Sequence, residues 1–483
     1  VAPPAGRRVK ATETAADPAL LREQRGWYWY DWANSAFYTT VITVFLGPYL
    51  TTIAENAAGP DGVVSFLGLD LLPKAYFSGV VTISVFLQVV VMPLAGAIAD
   101  HTGRKRELLA LFAYLGAFAT LGFYFLSGDR YVLGGVLFLI ANVSYGAAIV
   151  VYNSFLPQIS SAESRDEVSS RGWAFGYLGG GLLLAINLGM YLGRDAIGLE
   201  EGLAVRICLA SAGLWWAGFT IIPMLRLRNR PVVRHAPPAE PSSESRDDAP
   251  EAAATRARPV EPEPTVLRAI GGSLRQLGRT AMELRRYPRS LMFLVAYLVY
   301  NDGVQTVISF SATYAAHELK LGTTVQISAI LMVQFVAFGG ALLLGRLAFV
   351  FGTKRTVLGS LVIWVGVVSV AYFLQAGSEV QFYAMAFAIA IVLGGTQALS
   401  RSLYSLVIPA GKEAEYFSLF EISDKGSAFL GSFALTMALQ LTDSYRSAIL
   451  SLIFFFVLGF VLLLATNLPK AIRAAGNEVP SHI

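Results

Sequence analysis

Gly96-Ala-Ile-Ala-Asp100-His-Thr-Gly103-Arg-Lys-Arg106 joins two apolar runs, Tyr76 to Ile98 and Leu108 to Leu126. Each run is close to the ~20 residues that an α-helix needs to cross the hydrocarbon core of a bilayer. The residues between them must therefore turn the chain at a membrane surface. Three successive cations, Arg104, Lys105 and Arg106, mark that surface as cytoplasmic, because Lys and Arg accumulate on the inner side. Gly96 and Gly103 allow close helix approach and a tight turn. Asp100 is an acid at a helix end, costly near a membrane unless it is paired.

The rest of the chain has the same character. Of 483 residues, 55% are hydrophobic and 14% charged, with a net charge of +4. A soluble chain carries about a quarter charged residues. Apolar stretches fall near 30–53, 75–98, 107–127, 131–155, 169–192 and 205–225, then near 290–315, 325–350, 356–375, 380–407, 416–440 and 445–466. Pro157 and Pro409 are each expected to close a span. The expected fold is an all-α membrane protein with twelve transmembrane helices in two pseudo-symmetric six-helix bundles, residues 30–225 and 290–466. Residues 1–29 and 467–483 are expected to be cytoplasmic tails. The first 26 residues lack an apolar core, so no cleavable signal peptide is expected.

Cation placement orients the bundle. Arg7, Arg8, Lys10, Arg22, Arg25, Arg165, Lys354, Arg355, Lys470 and Arg473 fall on the same side as Arg104–Arg106. The other side holds only Lys74, Arg130, Arg194, Arg206, Lys320 and Arg446. Both termini are thus expected in the cytoplasm. So is the linker 226–289, which is Pro-, Ala-, Glu- and Arg-rich and reads as disordered to residue 264. Leu267, Ile270, Leu274, Leu277, Ala281 and Leu284 then recur at helical spacing, giving an expected amphipathic helix about 265–286 on the cytoplasmic leaflet.

An internal repeat underlies the six-plus-six count. Gly96 and Gly103 match Gly345 and Gly352, and Lys105 and Arg106 match Lys354 and Arg355, all 249 residues on. Tyr152 and Pro157 match Tyr404 and Pro409, and Arg171-Gly172 matches Lys425-Gly426. Phe349 stands where Asp100 would be, so an acid-based latch is expected to be lost in the second copy.

Polar side chains are costly against lipid, so polar stripes must face protein or water. Asp31, Asn34 and Tyr38 share one face of span one; Asn142 and Asn153 share a face of span four. Span seven carries Asp302, Gln305, Thr306, Ser309 and Thr313, and span ten carries Gln397, Arg401 and Tyr404. Asp302 lies roughly 18 Å into its span by helical rise. Asp302 and Arg401 are the expected complementary pair for a solute carrying an ammonium and a carboxylate. Glu421 and Lys425 are spaced for an ion pair within span eleven. Asp302, Glu421 and Asp424 are the candidate proton-coupling acids. Gly172, Gly176 and Gly180 form a small-residue packing face on span five, beside Trp173.

The pattern G-x-x-x-D-x-x-G-R-[KR] over Gly96–Lys105 resembles the loop signature of the major facilitator superfamily. That resemblance implies two halves related by an axis along the membrane normal. It also implies a latch at Gly96, Asp100, Gly103, Arg104 and Lys105, with Asp100 and Arg104 near the start of span eleven. Spans one, four, seven and ten would line the cavity. A closer resemblance rests on Tyr30-Asp-Trp-Ala-Asn-Ser-Ala-Phe37, Asn153-Ser-Phe-Leu-Pro157, Gly172-Trp-Ala-Phe-Gly-Tyr177, Tyr300-Asn-Asp-Gly-Val-Gln305, Gly394-Gly-Thr-Gln-Ala-Leu-Ser-Arg401 and Gly411-Lys-Glu-Ala-Glu-Tyr-Phe417. Together these are similar to the autophagy-related vacuolar effluxers and their bacterial relatives. The fungal members imply export of amino acids, and Asn301 joins the site residues through its place in the shared motif.

No G-x-x-x-x-G-K-[ST] loop, H-E-x-x-H or Gly-x-Ser-x-Gly stretch is present, and Cys208 and four scattered His make no metal motif. Neither an enzyme nor a cofactor is expected, and transport must be passive or ion-coupled. The leading expectation is a secondary transporter or exporter of a small polar solute, for instance an amino acid. The expected substrate-binding residues are Asp31, Asn34, Tyr38, Asn153, Asn301, Asp302, Gln305, Gln397 and Arg401. The alternatives are a drug or metabolite exporter and a transporter-fold receptor that moves nothing. Expected partners are the solute, the lipid bilayer and a coupling proton, with neither nucleic acid nor a second copy of the chain. The Arg-, Ala- and Pro-rich linker points to a bacterial inner membrane.

Overall fold

The computed structural model describes residues 17–231, 275, 278–280 and 282–483, with backbone alone for 426–429. Most of the expected amphipathic segment 265–286 lies outside the described residues. Helices α1 (Pro18–Ala57), α2 (Pro73–Thr102), α3 (Lys105–Phe125), α4 (Tyr131–Ile159), α5 (Arg165–Leu192) and α6 (Glu201–Arg226) form the N-terminal half. Helices α7 (Pro288–His317), α8 (Thr323–Phe351), α9 (Thr353–Ala371), α10 (Glu379–Leu406), α11 (Glu413–Thr442) and α12 (Tyr445–Ala465) form the C-terminal half. A short helix α13 (Leu468–Ala474) follows. Among the described residues, eleven of the twelve long helices are apolar enough to cross a membrane by length and composition alone. The twelfth is α11, which carries Glu413, Glu415, Glu421, Asp424 and Lys425 and finds partners for them inside the bundle.

Each half has its own core. Trp27, Tyr30, Phe37, Tyr152 and Trp216 anchor the first. Tyr297, Tyr300, Trp364, Tyr404 and Phe456 anchor the second. The halves meet along α2 against α11 and α5 against α8. On the outside, large apolar side chains such as Phe86, Phe118, Leu214, Val380 and Phe454 are mostly exposed. A soluble protein would bury such a surface; here it meets lipid tails.

Several local features differ from the sequence expectation. Helix α1 starts at Pro18, twelve residues before the expected span, and is capped by the Asp17 carboxylate accepting from the Ala19 N–H at 2.9 Å. Over Phe37–Phe45, α1 widens to π-helical bonding, and Thr43 Oγ1 donates to the Tyr38 carbonyl five residues back at 2.9 Å. A short hairpin, β1 (Val64–Phe66) and β2 (Leu69–Leu71), joins α1 to α2 within the all-α fold. Pro157 does not end α4. It opens a final turn, Leu156–Ile159, where its missing N–H costs nothing. Residues 467–483 pack back on the bundle, with Leu468, Ala471 and Ile472 buried.

Candidate functional site

Arg401, 3% exposed on α10, reaches from the C-terminal half into a socket of the N-terminal half. Its Nε donates to Ser169 Oγ at 3.0 Å, Nη2 to the Ser169 carbonyl at 2.9 Å, and Nη1 to Asn153 Oδ1 at 3.2 Å. Nη1 also stands 3.5 Å from Asp31 Oδ2, which accepts from Tyr152 Oη at 2.7 Å. The guanidinium lies 4.7 Å from the Trp27 ring, 5.5 Å from Trp173 and 5.7 Å from Tyr152. A planar cation with several donors suits this aromatic slot as a point-charge ammonium would not. Gly172 makes the room: a Cβ there would stand 2.6 Å from the Trp27 ring and 3.1 Å from Arg401 Nη2.

A second polar cluster, about Asp424 of α11, is more open. Asp424 Oδ1 accepts from Asn301 Nδ2 at 2.8 Å, Tyr297 Oη at 3.1 Å and Gln305 Nε2 at 3.4 Å. Its Oδ2 pairs with Lys425 Nζ at 3.2 Å. Gln397 Nε2 donates to Asn301 Oδ1 at 2.6 Å, tying α10 into the cluster. The Lys425 ammonium lies 5.8 Å from the Tyr145 ring of the opposite half. The Lys425 and Asp424 side chains are 25% and 16% exposed, against 4% for Arg401. Tyr38, at the start of the π-helical stretch, is also exposed. Two adjacent opposite charges thus border space between the halves, framed by neutral donors and acceptors.

One end of the bundle is shut. Lys105 Nζ lies 3.1 Å from Asp100 Oδ1 and 3.1 Å from Glu413 Oε2. Asp100 Oδ2 accepts the Glu415 backbone N–H at 2.9 Å, capping the start of α11 from the other half. Gly96 permits the contact, since a Cβ there would come within 2.6 Å of the Ala414 carbonyl oxygen. Gly103 ends α2 at φ 65°, the left-handed region that favours glycine. Glu421 Oε1 accepts from Asn153 Nδ2 at 2.8 Å, and Arg165 Nη1 donates to the Ser405 carbonyl at 3.3 Å. We call this the latch end.

The expected site residues separate into these groups. Asp31, Asn153 and Arg401 meet in the socket; Asn301, Gln305, Gln397 and Asp424 meet in the open cluster. Asn34 is buried beside Asp31, with Nδ2 unpartnered among the described residues. Asp302 does not oppose Arg401 as expected. Successive helical residues are ~100° apart, so Asp302 and Thr306 turn away from the face of Asn301 and Gln305. Both Asp302 carboxylate oxygens and Thr306 Oγ1 are buried without a hydrogen-bond partner among the described residues. The expected Glu421–Lys425 pair is replaced by Glu421–Asn153 and Lys425–Asp424. In the latch, Lys105 is the bridging cation, while Arg104 is exposed. Sequence reasoning misses Trp27, Tyr152, Ser169 and Lys425 as site residues. Trp27 does sit one helical turn before Asp31, a spacing that puts both on one face.

Two six-helix bundles with a polar cluster between them and a latch at one end define a major facilitator superfamily transporter. Solved structures agree in fold. The E. coli fucose:proton symporter aligns at a TM-score of 0.63, with 13% identity over 92% of this chain and 98% of that one. The human organic anion transporter MFSD10 aligns at 0.58, with 15% identity over 92% and 100%. Within that class, the chain belongs to the family described as Vacuole effluxer Atg22 like, whose model matches residues 21–476. Among its relatives, the MFS-type transporter YxiO of Bacillus subtilis (strain 168) is 27% identical, over 92% of this chain and 94% of its own. Autophagy-related protein 22-1 of Phaeosphaeria nodorum is 25% identical, over 96% and 93%. The chain is an integral, multi-pass membrane transporter.

Proposed function

We propose that this protein is a secondary transporter of a small zwitterionic solute, with amino acids the leading class, working by alternating access. The carrying observation is the partly exposed Asp424–Lys425 pair between the halves. An ammonium and a carboxylate are complementary to that pair, and each desolvated charge gains from an opposite partner. Asn301, Gln305 and Gln397 would orient the solute; Asp31, Asn153 and Arg401 would act as the clasp that holds the halves together while the latch end is shut. Asp302, buried and without a hydrogen-bond partner among the described residues, one residue from Asn301, is our candidate proton-coupling acid. Glu421 and Asp424 hold hydrogen bonds in this state, to Asn153 and to Asn301, and are the weaker candidates.

The cations at the latch end support a cytoplasmic placement for it and for both termini. On that reading the present state is closed to the cytoplasm, and a bacterial inner membrane is the proposed location. The family description, vacuole effluxer, favours efflux; the direction and the solute class in this chain are part of the proposal. The test is a thermal-stability screen of the purified protein with α-amino acids, the corresponding amines and the corresponding deaminated acids. Stabilisation by the zwitterions alone is expected. Equal stabilisation by an apolar drug panel would favour a metabolite or drug exporter instead.

A further inference from the structure

We infer that residues Asn477–Ile483 form a second interhalf latch, standing in for the acid that the repeat has lost at Phe349. The two halves repeat one another in sequence, with Gly96, Gly103 and Lys105 matching Gly345, Gly352 and Lys354. The α2–α3 turn docks on the start of α11; the α8–α9 turn docks in the same way on the start of α5. Gly96 faces the Ala414 carbonyl, and its mate Gly345 faces Ser170, where a Cβ would lie 2.6 Å from Oγ. In the first latch, Lys105 bridges to Glu413 at 3.1 Å. Lys354, the mate of Lys105, makes no such bridge among the described residues. Lys354 Nζ turns away and donates to the Leu464 and Thr466 carbonyls, both at 2.9 Å.

Glu163, two residues before the start of α5 in the N-terminal half, is held by the returning chain. Ser481 donates its backbone N–H to Glu163 Oε1 at 2.7 Å and its hydroxyl to Oε2 at 2.9 Å. Thr353, which stands where Arg104 stands in the first copy, donates its hydroxyl to Asp166 Oδ2, and its Oγ1 also lies 3.3 Å from the His482 carbonyl oxygen. The His482 ring packs on Phe349, centroids 5.2 Å apart. Gly352 takes φ 93°, and a Cβ there would lie 2.8 Å from the Ile483 carbonyl oxygen, so the turn is shaped to the strap. At its root, Asn477 Nδ2 donates to the Leu406 and Ile408 carbonyls at 2.7 Å each, closing the end of α10. The strap is thus anchored on the C-terminal half and hooked to the N-terminal half at Glu163. Opening the latch end must break the Glu163–Ser481 hook, so the strap biases the protein toward the closed latch end.

The test reads conformation rather than transport, so it stands or falls independently of the substrate. In the full chain with Cys208→Ser, a reporter Ser405→Cys is buried at the latch end. Ser481→Asp places a carboxylate against Glu163, a like-charge contact that disfavours the hook. Expected is a severalfold faster thiol labelling of the reporter in Ser481→Asp, returned to the parent rate when Glu163→Gln is added. Overturning results are an unchanged labelling rate in Ser481→Asp, or an increase that Glu163→Gln fails to reverse. An unchanged melting temperature in Ser481→Asp would separate a conformational shift from unfolding; a large loss of melting temperature with the same increase in labelling would contradict the proposal.

Discussion

Arg401 of the C-terminal half stands 3.5 Å from Asp31 of the N-terminal half, inside a slot walled by Trp27, Tyr152 and Trp173. The pair spans the plane along which the halves must part. It is nearly dry, so its two members stabilise each other mainly by sparing one another an unpaired buried charge. Removing one partner of such a pair costs about 3–5 kcal/mol, whereas neutralising both is often tolerated. Asp31→Asn alone and Arg401→Gln alone should therefore each lower the melting temperature clearly. The two together should lose less than the sum. Strict additivity in that double-mutant cycle would mean that the charges do not interact.

Gly172 sets the depth of the slot. Gly172→Ala should weaken the clasp, because the added methyl meets the Trp27 ring and Arg401 Nη2. Gly189 lies on the same helix, and a methyl added there would meet nothing within 4 Å, so Gly189→Ala should be neutral or stabilise by about 0.5–1 kcal/mol. Thermal unfolding of the two variants side by side checks this; equal losses would remove the slot from the explanation.

The latch separates two neighbouring cations. Lys105 is buried between Asp100 and Glu413, and Arg104 is exposed. Lys105→Met should strand two buried carboxylates and raise thiol labelling of a Ser405→Cys reporter. Arg104→Met should leave labelling within error of the parent. The reverse ranking would assign the latch to Arg104.

Much of this is legible in the sequence. Twelve apolar runs, the repeat at a spacing of 249 and the Gly96–Arg106 turn specify two six-helix halves, because hydrophobic length and glycine placement act locally. The polar residues of spans one, seven and ten mark helices that the structure brings together in the socket and the open cluster. Which of them meet is not legible, because a pairing depends on how one half sits against the other. Charge alone matches Asp302 with Arg401, yet a single residue of helical rotation gives Asn301 to the cluster and turns Asp302 away from it, beside Gly431 of α11. The strap escapes the sequence for a similar reason: its partners Glu163 and Thr353 lie far away along the chain and on different halves.

Asp302 carries a separate expectation. Its oxygens lack hydrogen-bond partners among the described residues, so Asp302→Asn should preserve folding. If Asp302 carries a coupling proton, the variant should lose accumulation driven by a pH gradient and keep exchange between equal solutions. Loss of both modes with a lowered affinity would make it a binding residue instead.

The central claim is that Asp424 and Lys425 hold a zwitterion between the halves. The most direct measurement is exchange of radiolabelled amino acids in proteoliposomes, comparing the parent with Lys425→Met at matched melting temperature. The expected result is counterflow of at least one amino acid by the parent, competed by unlabelled zwitterion but not by its amine, and abolished in Lys425→Met. Counterflow that survives Lys425→Met unchanged, or a parent that moves no amino acid above empty liposomes, would contradict it.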